Sequence, residues 1–268
     1  MQNIHHLHTS LKQISVVIGL AMMLSINPVI AAASKPAIHS IVLVHGAFAD
    51  GSIWSPVITR LQAMGYHVTA VQNPLTSLAD DVSATEKILR RQTGDVLLVG
   101  HSWGGVVITQ AGNAANVKGL VYLSAIAPDS GESMLDLLSR LKSPMHGPAP
   151  DADGLIWMDD AKQFHQFMAA DMSIHKVRQL ISVQLPIAQA SVTDKVEHAA
   201  WHEKPSWYLQ AIDDQAIPPA VQQSIVLQIG ATTCTIHSSH MLMLSHPDTV
   251  AKFIDEAART ATQSNAQR

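Results

Sequence analysis

Six short apolar runs limit what this chain can fold into: residues 38–44 (IHSIVLV), 67–71 (HVTAV), 95–99 (DVLLV), 118–123 (KGLVYL), 206–212 (SWYLQAI) and 232–236 (TTCTI). Most are nearly continuous in apolar residues, the first, third and fourth clearly so. Strands of that kind are buried on both faces, as in a parallel sheet covered by helices. Helical patterns at 53–64, 79–91, 103–115, 218–228 and 247–260 fall between them. Pro218-Pro219 and Pro247 sit where helices open, the one helical position that tolerates proline well. Strands alternating with helices predict an α/β fold with a doubly wound, mostly parallel sheet of about six strands.

The alternation breaks once. Residues 128–204 carry Pro128, Pro144, Pro148, Pro150 and Pro186, show helix-like segments at 132–141, 158–170, 173–184 and 190–201, and contain no convincing strand. The strand rhythm resumes at Ser206, which favours a helical cap inserted after the fourth strand. The core is then 34–127 together with 205–268. Residues 1–33 read differently again. Lys12 is their only formal charge, an apolar run from Ile14 to Ile26 follows it, and Ala31-Ala32-Ala33 closes the segment. That is the pattern of a secretory signal peptide cleaved near Ala33. The run is shorter than the roughly 20 residues a membrane-spanning helix needs. A periplasmic or secreted protein, with no stable membrane insertion after processing, is expected.

Chemistry concentrates at the ends of the predicted strands. Gly100-His101-Ser102-Trp103-Gly104 follows the run 95–99 and precedes a helix. The bare pattern G-x-S-x-G is a weak signal, but strand, sharp turn and helix in succession make Ser102 a candidate nucleophile held on a strained elbow. His45-Gly46-Ala47-Phe48 ends the first strand, where a loop amide can point at a developing oxyanion. The amides of Ala47 and Trp103 are the candidate donors. Phe48 is placed beside the substrate, and His45 is read as structural. An acid is expected after the fifth run, where Asp213 and Asp214 compete to orient a base histidine. The base is expected after the sixth, from His237, His240 or His246. His240 is favoured because it lies in the loop between strand and helix. The chain order Ser, Asp, His suits this architecture.

Composition narrows the function further. Hydrophobic residues make up 47% and charged residues 14%, so a large core is expected and disorder is not. A net charge of -4 without any basic run argues against a nucleic-acid partner. Cys234 is alone and is expected as a core thiol. His198 and His202 are spaced to share one helix face, but Ala199 stands where a zinc-protease helix has its glutamate. No metal and no cofactor is expected.

The stretches 41–54 (IVLVHGAFADGSIW), 99–105 (VGHSWGG), 205–219 (PSWYLQAIDDQAIPP) and 238–247 (SSHMLMLSHP) resemble the α/β-hydrolase superfamily over essentially the full mature length. Within it the chain is most similar to small bacterial and plant esterases of the salicylate methylesterase and hydroxynitrile lyase group. The resemblance implies that Asp214, just before x-x-I-x-P, is the acid, and that His240, before Met-x-Met, is the base. Hydroxynitrile lyases of the group carry a lysine after that histidine and a threonine before the first oxyanion donor. Here Met241 and Gly46 stand there, which disfavours the lyase. Expected is a serine hydrolase acting on an ester of a small, largely apolar molecule, with Trp157, Phe164 and Phe167 of the cap among the candidate pocket residues and Met158, Met168 and Met172 beside them. A non-catalytic binding protein on the same scaffold is the alternative from another class.

Overall fold

The computed structural model describes residues 38–144 and 147–265; the segment read as a signal peptide lies outside them. Six strands form one parallel sheet: β1 (Ser40–Val44), β2 (His67–Ala70), β3 (Val96–His101), β4 (Val117–Leu123), β7 (Ser206–Ala211) and β8 (Thr232–Ile236), in the spatial order β2-β1-β3-β4-β7-β8. A separate antiparallel pair, β5 (Leu155–Ile156) and β6 (Ile187–Ala188), lies in the segment between β4 and β7. The helices of the main layers are α1 (Ser55–Ala63), α2 (Leu78–Leu89), α3 (Gly104–Ala111), α8 (Pro219–Ile229), α9 (Leu242–Ser245) and α10 (Pro247–Asn265). Between β4 and β7 lie α4 (Met134–Arg140), α5 (Ala161–Met168), α6 (Ile174–Ile181) and α7 (Gln189–Thr193), which make up the inserted cap.

Side-chain alternation along β1 explains the two-faced core. Ile41 and Leu43 enter one apolar cluster with Trp54, Leu61, Phe253 and Ile254. Val42 and Val44 enter the other, with Leu89, Val107 and Tyr208. Successive strand residues point to opposite faces, so a strand covered on both sides is apolar at every position. Polar residues mark the helix starts. Ser77 caps α2 by accepting from Asp80 N, Ser133 and Asp136 form a reciprocal capping box at α4, and Asp160 caps α5.

Three sequence expectations need correction. Cys234 is exposed rather than buried. It lies on β8, the last strand, while α10 packs across β3, β4 and β7, and the strand is exposed from Thr232 to Thr235. The threonines that flank Cys234 were the sign of an edge. The cap contains the β5–β6 pair where no strand was expected. The pattern at 190–201 is no continuous helix: α7 ends at Thr193, and a 3-10 turn takes up Ala200–His202. Between them the backbone pairs elsewhere, Val196 N donating to Glu132 O and Gly131 N to Val196 O, so His198 and His202 share no helix face.

Candidate active site

Parallel strands point their carboxyl ends the same way, and in open α/β sheets ligands bind beyond those ends. Each candidate residue lies just past one: Ala47 after β1, Ser102 after β3, Asp214 after β7 and His240 after β8.

Ser102 has φ of 53°, a left-handed backbone uncommon outside glycine. The turn is tight on every side. A methyl at Gly104 would collide with the Val44 carbonyl oxygen, and one at Gly46 would lie 2.7 Å from Ser102 Cβ. Ser102 O accepts from Gly105 N (3.0 Å) and Ile126 N (3.2 Å), which locks the elbow to the helix it opens and to the chain leaving β4. Neither the Ala47 N–H nor the Trp103 N–H has a hydrogen-bond acceptor among the described residues.

The loop carrying Ala47 is fixed from behind. His45 is buried, bonds Gly46 O through Nδ1 at 2.9 Å, and accepts at Nε2 from Asn73 N at 2.9 Å, while Asn73 Nδ2 donates to His45 O. Accepting at Nε2 requires a neutral ring protonated at Nδ1. Burial drives the His45 pKa down in keeping with that.

Asp214 and His240 are both buried, and His240 Nδ1 lies 2.7 Å from Asp214 Oδ2. Every other partner of Asp214 is also a donor. Oδ1 accepts from Ala216 N (2.7 Å) and Ile217 N (2.9 Å), and Oδ2 accepts from Gln222 Nε2 (3.0 Å). A carboxylate suits such a ring of donors because it only accepts. It receives the proton of Nδ1 as a hydrogen bond, which leaves Nε2 as the free base. Asp213 instead faces solvent, 3.2 Å from the exposed His237.

Sequence reasoning passed over three neighbours. His101 Nε2 donates to His240 O at 3.0 Å, with the two rings 4.6 Å apart. Burial holds the His101 pKa well below its usual value. Only its position inside G-x-S-x-G hinted at a role. Asp171 of the cap accepts from Ser239 Oγ (2.5 Å), Ser239 N (3.0 Å) and Ser238 Oγ (3.1 Å), clasping the histidine loop. Asp81 accepts from the Trp103 indole at 2.7 Å. No sequence pattern linked Asp171 or Asp81 to these partners.

The candidate pocket residues are spread. Phe48, with φ of 60°, packs against both apolar clusters. Phe164 is fully buried in the cluster that also holds Met168 and Met241, with Met158 and Met172 partly buried against it. Trp157 donates its indole N–H to Asp151 within the cap, and Phe167 is exposed. Among the described residues no three of His, Cys, Asp and Glu are grouped to hold a metal ion.

Residues 41–253 match the family model described as the alpha/beta hydrolase family. The chain belongs to that family. Among this hydrolase's relatives is the alpha/beta hydrolase nvfD of Aspergillus novofumigatus, 29% identical over 251 residues, with 85% of this chain and 99% of the relative covered. The pyrethroid hydrolase of Sphingobium wenxiniae is 26% identical over 268 residues, covering 86% of this chain and 94% of its own. Among solved structures, an extracellular alpha/beta-hydrolase from a Paenibacillus species, described as sharing homology with tobacco salicylic acid binding protein 2, superposes with a TM-score of 0.70 at 21% identity. That alignment covers 82% of this hydrolase and 99% of the other chain. The two chains share the fold.

Proposed function

We propose that this hydrolase cleaves a carboxylic ester of a small, largely apolar molecule, with Ser102 as nucleophile, His240 as base and Asp214 as its orienting acid. The observation that carries the reading is the buried 2.7 Å contact between His240 Nδ1 and Asp214 Oδ2. It commits the histidine proton to Nδ1 and leaves Nε2 to take the proton of Ser102 Oγ. Ser102 then attacks the ester carbonyl, and the oxyanion is stabilised by the unengaged amides of Ala47 and Trp103. His240 returns the proton to the leaving alcohol, and a water activated the same way cleaves the acyl-enzyme. No hydrogen bond joins Ser102 Oγ to His240 Nε2 among the described residues; in this mechanism that bond forms once substrate is bound, since catalytic hydrogen bonds are often long or poorly aligned without substrate.

The apolar surroundings support an apolar substrate: Phe48, Met158 and Met172 are left partly exposed against the buried cluster. The pyrethroid hydrolase among the relatives points the same way. Export rests on the leader pattern of residues 1–33, and among the described residues no helix is long and apolar enough to cross a membrane.

The test is labelling with a fluorophosphonate probe together with turnover of p-nitrophenyl and methyl esters of graded size. Labelling that maps to Ser102 and disappears in Ser102→Ala is expected, with short apolar acyl groups turned over. An unlabelled wild-type protein, inactive on every ester, would overturn the reading in favour of a binding protein.

A further inference from the structure

Asp81 is a buried carboxylate in the first turn of α2, and its surroundings are unusual for an acid. Its Oδ1 accepts from Leu75 N at 2.8 Å and its Oδ2 from Trp103 Nε1 at 2.7 Å. Among the described residues no lysine, arginine or histidine pairs with it. A buried charge without a counter-ion costs stability, and packing alone would be served better by a neutral side chain. The two partners explain why an acid stands there. Both are donors, and of the residues this size only a carboxylate accepts with both ends.

Each partner leads to part of the proposed site. Trp103 follows Ser102, and its amide is the second oxyanion donor. Its side chain is buried, so the indole bond fixes where that residue sits. Leu75 is a non-glycine residue at φ of 59°, and its carbonyl accepts from Ala188 N (2.9 Å) and Ser191 Oγ (3.3 Å) of the cap. Asp194, also of the cap, accepts from Leu78 N at the start of the same helix (3.0 Å). Two residues before Leu75, Asn73 holds the loop of the first oxyanion donor through His45.

We infer that Asp81 is a positioning residue for the oxyanion hole, holding the Trp103 amide in place through the indole and tying that placement to the cap through Leu75. This rests on the ester-hydrolase reading above. Positioning has to outweigh an opposing effect, because an ionised Asp81 repels the negative charge that develops on the substrate. An asparagine at 81 removes that charge, yet it presents an amide N–H₂ to one of the two donors. If placement matters, it lowers turnover. If only the charge matters, it raises turnover.

The experiment is a double-mutant cycle of Asp81→Asn and Trp103→Phe, read by kcat and KM on an ester that the wild-type enzyme turns over. Oxyanion donors act on the transition state, so kcat should fall while KM stays within about twofold. A fall of about 10- to 100-fold is expected for each single variant, below the loss of a whole donor, which is on the order of 10²- to 10³-fold. The double variant should be no worse than the more impaired single, since both disturb the same Asp81–Trp103 contact. A merely structural bond would lower the melting temperature and leave kcat in place. Unchanged or raised kcat in Asp81→Asn, or single effects that multiply, overturns the inference. If Asp81→Asn does not fold, Trp103→Phe probes the same bond from the other side, and its retaining full kcat is equally decisive. If neither variant folds, Asp81 is a folding element and the inference falls. A wild-type protein that neither labels at Ser102 nor turns over any ester refutes the ester reading itself, and the positioning role falls with it. Labelling and turnover by the wild type, with kcat kept in the variants, refutes the positioning alone.

Discussion

Replacing Asp214 by asparagine is the sharpest perturbation the site offers, because every neighbour of that carboxylate donates. Oδ1 holds the amides of Ala216 and Ile217, and Oδ2 holds Gln222 Nε2 and His240 Nδ1. Gln222 cannot turn to help. Its Nε2 also donates to Ala211 O and Ile217 O, while its oxygen accepts from Ala211 N. An asparagine whose oxygen keeps the two amides turns its N–H₂ toward Gln222 and His240. The reverse orientation turns it against Ala216 and Ile217. In the first, His240 relieves the clash by moving its proton to Nε2, so that Nδ1 accepts from the new amide. The proposed base is then blocked on the side that would take the Ser102 proton. A fall in kcat of about 10⁴-fold is expected, the size measured for the equivalent change in a serine protease. The Gln222 amide left facing a donor costs a further 1–3 kcal/mol or so of stability. Each kcal/mol lowers the melting temperature by about 2–4 °C in a domain of this size. Steady-state turnover and thermal melts of Asp214→Asn and Asp213→Asn measure both effects. The exposed Asp213 should change kcat by less than about tenfold. Activity within tenfold of wild type in Asp214→Asn, with Asp213→Asn inactive, would refute the reasoning and move the acid to Asp213.

Other outcomes follow from single features. Burial pushes the Asp81 carboxyl up to about 6, against the lowering effect of the Trp103 and Leu75 hydrogen bonds. The folded state therefore holds that proton more tightly than the unfolded chain, so its stabilising effect is complete below about pH 4 and is lost as pH rises through 6. The rise corresponds to at most about 3 kcal/mol. Urea denaturation at pH values from 4 to 7 should show that slope reduced in Asp81→Asn. Gly104→Ala forces a methyl onto the Val44 carbonyl oxygen and should cost about 1–3 kcal/mol or more while lowering turnover; a variant as stable and active as wild type would contradict the elbow packing. Asp171→Ala removes three hydrogen bonds from Ser238 and Ser239 and should loosen the His240 loop, seen as faster amide exchange there. N-terminal sequencing of protein from a periplasmic fraction should begin near Ser34, and an intact Met1 on active soluble protein would contradict export.

The elements easiest to read in the sequence were those whose burial is symmetric. The runs at 38–44, 95–99 and 118–123 are apolar at nearly every position because β1, β3 and β4 are covered on both faces. The G-x-S-x-G turn was legible for a related reason: close backbone approach restricts which residues fit. Choosing between Asp213 and Asp214 needed the family pattern, since two adjacent acids in a loop look alike until the donors around one of them are known. The least legible features join residues far apart in the chain. Nothing in the sequence ties Asp81 to Trp103, Asp171 to Ser239, or Gln222 to Asp214, because such bonds depend on how α2, the cap and α8 settle against the sheet. Cys234 was misplaced because an edge strand and a central one of five residues differ only in what covers them.

The spatial order of the sheet also bears on how the protein is made. Ser102 follows a strand in the middle of the sheet, while His240 follows β8, which among the described residues pairs only with β7 and is the last of the sheet strands in chain order. A nascent chain that has released β1 to β4 holds the proposed nucleophile elbow but not the proposed base. With the proposed triad, hydrolytic competence therefore waits for β8, the last strand of the sheet to be made. A chain cut short before β8 is expected to be chemically silent however well its first half has folded.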